Sequence, residues 1–143
     1  MAPSHVLVPL DGSPLADDAL EHALETFECQ ITVVNVVLKI DAPMSEGGVL
    51  GVDDERRETA QAYAERVIER AKARATVADR SIDVVIETGD PAETILEVID
   101  KRDIDHVVMG EHGGEAGRIA RRLLGTVATA VVAESPVSVT IVK

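Results

Sequence analysis

Aromatic side chains are nearly absent from this sequence: its 143 residues hold no Trp, one Phe and one Tyr. With only Phe27 and Tyr63, the chain offers no array of platforms on which nucleic-acid bases could stack, and its core must be built from Val, Ile, Leu and Ala. Cysteine is equally scarce, and a lone Cys29 excludes an internal disulfide or a multi-thiolate metal site. Its place before an apolar strand points to inert packing rather than redox chemistry. Positive charge is in deficit. Fourteen Lys and Arg stand against 26 Asp and Glu, a net charge of -12, which repels a phosphate backbone and an anionic bilayer alike. Neither nucleic acid nor a membrane is an expected partner. Apolar runs such as 33–38, interrupted by Asn35, fall far short of the ~20 residues a membrane span needs. The start of the chain carries no basic flank with a long apolar stretch, so a soluble cytoplasmic protein is expected. Ten of the cations are Arg and four are Lys. With the acidic excess, this resembles the surfaces of proteins that work in concentrated salt, which screens self-repulsion; an acidic cytoplasmic protein of an ordinary organism is the alternative.

The pattern that is present alternates strand and helix. Residues 5–10 (HVLVPL) form a short apolar run, then the turn-forming Asp11-Gly12-Ser13-Pro14, then apolar residues at helical spacing from Leu15 to Phe27. Ser13 is placed to cap that helix, Pro14 to open it, and Asp17 and Asp18 to meet the positive end of its dipole. Residues 31–37 read as a strand covered on both faces. Residues 38–52, with Pro43 and three glycines, read as an irregular connection of the length that lids and binding loops have. Residues 53–76 read as a long amphipathic helix with Ala60, Ala64, Val67 and Ala71 on its buried stripe. Strands are expected at 82–87, 106–109 and 137–142, and helices at 92–101, opened by Asp90-Pro91, and at 127–133. This order predicts an α/β fold, one domain over residues 1–143, with an open five-stranded, mostly parallel sheet and helices on both faces. A closed barrel would need ~250 residues.

In such a sheet, ligands sit beyond the carboxyl ends of the strands, where connections diverge. Asp11-Gly12-Ser13 follows the first strand. Gly110, Glu111, His112, Gly113, Gly114 and Gly117 follow the fourth, and the loop closes at Gly125-Thr126, with Thr126 able to cap the next helix. A phosphate would be held there by amides and dipole. Residues 113–126 hold Arg118, Arg121 and Arg122 against Glu115 alone, a cationic island of +2 in an acidic chain. The plain alternative is a short packed helix through Ile119, Leu123 and Leu124 whose arginines sit in solvent. Asp11 either contacts a ligand, directly or through a water on magnesium, or closes an Asx turn with Gly12 and Ser13. No His has metal-ligand spacing and no metal site or catalytic residue is expected; a Walker-type phosphate loop is absent.

Taken in order, VLVPLDGS, VVNVV, GDPAETILEVIDKRDIDHVVMG, EHGG, LLGTVA and SPVSVTIVK resemble the universal stress protein family from end to end. The resemblance implies a Rossmann-like, adenine nucleotide alpha hydrolase-like fold, homodimerisation and, in one branch, ATP binding, with or without magnesium. That branch carries Gly, two residues, Gly, nine residues, Gly, then Ser or Thr. Here Gly110 and Gly113 fit, as do Gly125 and Thr126, but eleven residues lie between Gly113 and Gly125. By resemblance, Asp11 with Val36 or Val37 would contact the adenosine part, and Gly110, Gly113, Gly125 and Thr126 the ribose and phosphates, with His112 and Arg122 as further phosphate-side candidates. The expected function is an ATP-binding homodimeric stress-response or signalling module, paired through its C-terminal strand and acting on an unidentified protein partner, with the nucleotide ordering the two glycine-rich loops. The alternatives are a family member that binds no nucleotide and acts by protein contacts, and a slow ATP hydrolase or ligase-like enzyme.

Overall fold

The computed structural model describes residues 2–38, 50–112 and 125–143. In chain order its elements are β1 (His5–Pro9), α1 (Pro14–Thr26), β2 (Gln30–Val37), α2 (Leu50–Val77), β3 (Asp83–Thr88), α3 (Pro91–Lys101), β4 (His106–Gly110), α4 (Thr126–Glu134) and β5 (Ser138–Val142). The strands form one sheet in the order β3-β2-β1-β4-β5, and every pairing among them is parallel. The expected open sheet with helices on both faces is the observed architecture, and it is wholly rather than mostly parallel.

Alternation along the strands divides the core in two. Val6, Val8, Ile31 and Val33 face α1 and α2, where they meet Ala19, Leu20, Ala23, Val67 and Ala71. Leu7, Val34, Val85 and Val107 face the other way, onto Ile95, Val98 and Ile99 of α3 and Ala128 and Val131 of α4. Aliphatic and Ala side chains fill both layers; Phe27 only packs against the edge of the first, as does the half-buried Cys29. Asp17 of α1, almost fully buried, accepts hydrogen bonds from Arg70 and Arg74 of α2, and Arg74 also reaches Glu21. These bonds fix the two helices of one face to each other. No helix among the described residues is long and apolar enough to cross a membrane.

The helix starts follow the sequence. Ser13 accepts from the Ala16 amide at 3.3 Å and Pro14 is the first residue of α1, while Asp90 accepts from Glu93 at 3.0 Å and Pro91 opens α3. Element boundaries differ from expectation by a residue or so almost throughout, and two of the differences bear on the argument. Helix α2 starts at Leu50 rather than Asp53, so it takes in Gly51, a residue whose cost in a helix is only about 1 kcal/mol. Strand β4 includes Gly110, paired with Val142, which sequence reading had assigned to the following loop.

At the amino-terminal edge of the sheet, the Asp105 carboxylate accepts from the Ser4 amide, the Ser4 hydroxyl and the His5 amide at 2.7–3.2 Å. The Ser4 bonds hold its pKa below the usual carboxylate range. Next to it, His106 stacks 5.1 Å from Phe27 and meets Thr140 Oγ1 at 2.7 Å, and burial pushes its pKa down against the opposing pull of Asp105. A depressed pKa on either group means that the folded state resists protonation, so both contributions are complete above the ordinary pKa and lost as pH falls through the folded value. The melting temperature should therefore fall as pH drops from neutral through the histidine range and again through the carboxylate range. Asp105→Asn should diminish the second step and, by removing the opposing pull on His106, deepen the first, as thermal melts across pH would show.

Candidate functional site

The crevice has a sequence origin. Leu10 donates its amide to Val34 of β2 at 2.8 Å, and successive residues of a strand send their N–H groups to alternate sides. The preceding position, Pro9, therefore faces β4 with no N–H to give. The β1–β4 ladder pairs Val6 with His106 and Leu7 with Val107 and goes no further, whereas β2 and β3 remain paired as far as Val37 and Thr88. Beyond Leu7 the two central strands separate. They do so where the order reverses, since the chain leaves β1 toward β2 on one side and β4 toward β5 on the other. A cleft of about 780 Å³ opens there, lined from β1, β2, β4 and the starts of α1, α3 and α4, with Ala60 and Tyr63 of α2.

Its two ends differ chemically. The β2 end is lined by Val36, Val37 and Leu38 with Ala60 and Tyr63 of α2. The Asp11-Gly12-Ser13 turn borders this end: Asp11 Oδ1 accepts from the Ser13 amide at 2.9 Å, the Asx turn that was one of the two readings of this residue. Asn35, nearly fully buried, donates its side-chain amide to the Leu10 carbonyl at 2.8 Å and so ties β2 to the chain leaving β1. Tyr63 Oη donates to the Asp11 carbonyl at 2.8 Å. Gly12 between them has φ +85°, and a Cβ there would collide with the Tyr63 hydroxyl and come within 3.3 Å of Val67 Cγ2.

At the β4 end the backbone is the surface. Gly125 donates its amide to the Glu111 carbonyl at 2.7 Å and presses so closely on the preceding strand end that a Cβ would stand 3.0 Å from His112 Cα. Gly125, not Thr126, is the N-cap of α4, and Thr126 is the first helical residue. The expectation that Thr126 caps the helix is corrected: the cap position falls on Gly125, where a side chain would crowd the His112 backbone. Among the described residues no side chain caps it, and its first turn carries no acid, in contrast to α1 and α3. The positive end of α4 therefore faces the cleft through Gly125, Thr126, Val127 and Ala128. His112 is half-buried beside it, and its Nδ1 is buried with no hydrogen-bond partner among the described residues.

Of the residues singled out in the sequence, Asp11, Val36, Val37, Gly110, His112, Gly125 and Thr126 line this one cleft. Gly113 and Arg122 lie outside the described residues, as do the cationic island and most of the irregular 38–52 connection. Sequence reading missed Tyr63 and Asn35. Each carried a signal: a lone aromatic three residues after Ala60 on an alanine-rich stripe, and a polar residue inside a buried strand.

A family model described as the universal stress protein family matches residues 3–143. Comparison with curated proteins gives no match. Among solved structures, the universal stress protein UspA from Lactobacillus plantarum superposes with a TM-score of 0.85 at 22% identity, over 100% of this chain and 99% of that one. A universal stress protein in complex with cAMP gives 0.70 at 23% identity, over 100% and 98% of the two chains. A family protein from Arabidopsis thaliana with AMP bound gives 0.71 at 20% identity, over 99% and 92%. These similarities establish the fold.

Gly12→Ala should destabilise the protein by about 2 kcal/mol, because the left-handed backbone and the phenol both exclude a methyl group. Chemical denaturation should show a lower midpoint with an unchanged slope; an unchanged midpoint would mean that the turn is not clamped as described.

Proposed function

The chain belongs to the universal stress protein family, and from that premise we propose that it binds an adenine nucleotide, ATP in the fullest form of the reading, and works as a homodimeric signalling module rather than a metabolic enzyme. The observation that carries the proposal is the uncapped start of α4, open to a cleft whose opposite end is apolar. Free first-turn amides and an aligned dipole suit a phosphate; valines and a carboxylate suit an adenosine. Relatives of the same fold are described with AMP and with cAMP bound.

In this reading the Gly125 and Thr126 backbone takes the phosphates, with Gly110 and His112 beside the ribose, and Asp11, Val36 and Val37 receive the base end. Gly113 and Arg122 are assigned to the phosphates by spacing and charge alone. Magnesium would enter with ATP and be held by its phosphates. Among the described residues no three His, Cys, Asp or Glu side chains gather to hold an ion, and Asp11, the only carboxylate of the described cleft wall, has Oδ1 engaged by Ser13. The dimer would form through β5, an edge strand of the sheet, whose open ladder pairs with a second copy about a two-fold axis. A second reading, in which no nucleotide binds and the chain acts by protein contacts, is favoured by one observation: tight packing against His112 requires Gly125 whether or not a phosphate is present.

Calorimetry with AMP, ADP and ATP separates the readings. Binding is expected with micromolar to millimolar affinity. Thr126→Asp, which places a carboxylate where the phosphates would lie, should weaken it on the order of tenfold or more by like-charge contact while leaving the fold as stable or slightly more so, by up to ~1 kcal/mol. Light scattering of the same sample should give a dimer. Absence of binding by all three nucleotides, with none released on heating the purified protein, would favour the second reading, and a monodisperse monomer would remove the β5 pairing.

A further inference from the structure

Tyr63 is the only tyrosine of the chain, and the family-like motifs leave it without a role. It is neither a core residue nor a free surface residue. Its side chain lines the cleft, 44% of it remains exposed, and its hydroxyl is anchored on the Asp11 carbonyl at 2.8 Å. Arg66, one turn further along α2 and outside the cleft wall, places its guanidinium carbon 6.0 Å from the ring centroid, within the range of an attractive cation–ring contact. The ring is thus held at its hydroxyl and by a cation, while it still presents apolar surface to the cleft. An aromatic fixed in advance loses little conformational freedom when a ligand covers it, which makes Tyr an economical contact for flat groups. Val36, Val37, Leu38 and Ala60 line the same end of the cleft, so among the described lining residues the polar feature bonded to this side chain is the Asp11 turn.

Among the described residues that line this end of the cleft, none carries a positive charge to receive a phosphate. The amide-rich start of α4 lies on the β4 side, two strand spacings or ~10 Å from β2. A ligand that spans both ends therefore brings something flat and weakly polar to Tyr63 and something anionic to Gly125.

Resting on the nucleotide reading above, we propose that Tyr63 is the base-facing wall of the cleft: its ring lies against the nucleobase, and its hydroxyl positions the Asp11-Gly12-Ser13 turn that the base end meets. Two functions converge on one side chain. Ring contact gives affinity for an aromatic base of any identity, because every base has a π face. The hydroxyl bond sets where the Asp11 carboxylate stands, and with it which donors on the base find an acceptor.

The test uses the chain's own composition. With no Trp and one Tyr, tyrosine emission reports Tyr63 alone. AMP should change that emission on saturation, and ribose 5-phosphate, which lacks the base, should not. By calorimetry, Tyr63→Leu should weaken AMP about tenfold or more without changing the affinity for ribose 5-phosphate, and Tyr63→Phe should recover most of that loss because it restores the ring. Unchanged emission on AMP saturation, or a Tyr63→Leu variant that loses AMP and ribose 5-phosphate equally or loses neither, would overturn the proposal while leaving the nucleotide reading intact. If the leucine variant does not fold, the emission of the unmodified protein decides the question. Failure of the unmodified protein to bind AMP at all would instead strike the nucleotide reading itself.

Discussion

The hydrogen bond from the Gly125 amide to the Glu111 carbonyl, with the close approach of Gly125 to His112, determines where α4 begins. It pins the first turn of that helix against the end of β4, so that the helix starts at the mouth of the crevice. A side chain there would crowd the His112 backbone, and the glycine that avoids this cannot cap the helix. Among the described residues, packing thus leaves the start of α4 without a side-chain cap, lining the cleft. The other two helix starts with described caps satisfy their amides internally, through Ser13 and Asp90. Geometry that tightens one part of the fold creates the polar character of another.

The opposite wall is built by a different device. Pro9 interrupts the central ladder on its β4 side, Asn35 holds the departing chain to β2, and Tyr63 holds the turn that follows. These contacts replace the missing strand pairing with side-chain bonds to two backbone carbonyls, those of Leu10 and Asp11. The cleft is therefore a separation of strands that is closed at its edges by Asn35 and Tyr63. Beneath it, the two aliphatic layers and the Asp17–Arg70–Arg74 contact keep α1 and α2 in place, so the walls are carried by a rigid base. Acid should loosen the amino-terminal end of the sheet, where Asp105 and His106 sit.

Much of this was legible in the sequence because local and tertiary demands agree. Ser13-Pro14 and Asp90-Pro91 announce helix starts with the residues that the caps use, and continuous apolar runs announce strands covered on both faces. Asp11 and Gly110 could be placed after strands, and Gly125 before a helix, from the alternation alone. Sequence reading was less accurate where one position serves two masters. Thr126 has the chemistry of a cap, but the steric demand at the neighbouring position overrides it. Gly110 looks like a loop residue and is the last residue of a strand. Gly51 looks like a breaker and lies inside α2. Tyr63 was hidden because its role depends on a turn more than fifty residues away, which no local pattern reports.

The central claim is that one ligand bridges the two unlike ends of the cleft. It is tested most directly by the backbone amide resonances of Thr126, Val127 and Ala128, followed by heteronuclear NMR while AMP is added, together with those of Val36 and Val37. Both groups should shift along a common saturation curve, the α4 amides because phosphate reaches them and the β2 amides because the base does. Shifts confined to one group, or α4 amides unmoved at saturation, would contradict the account.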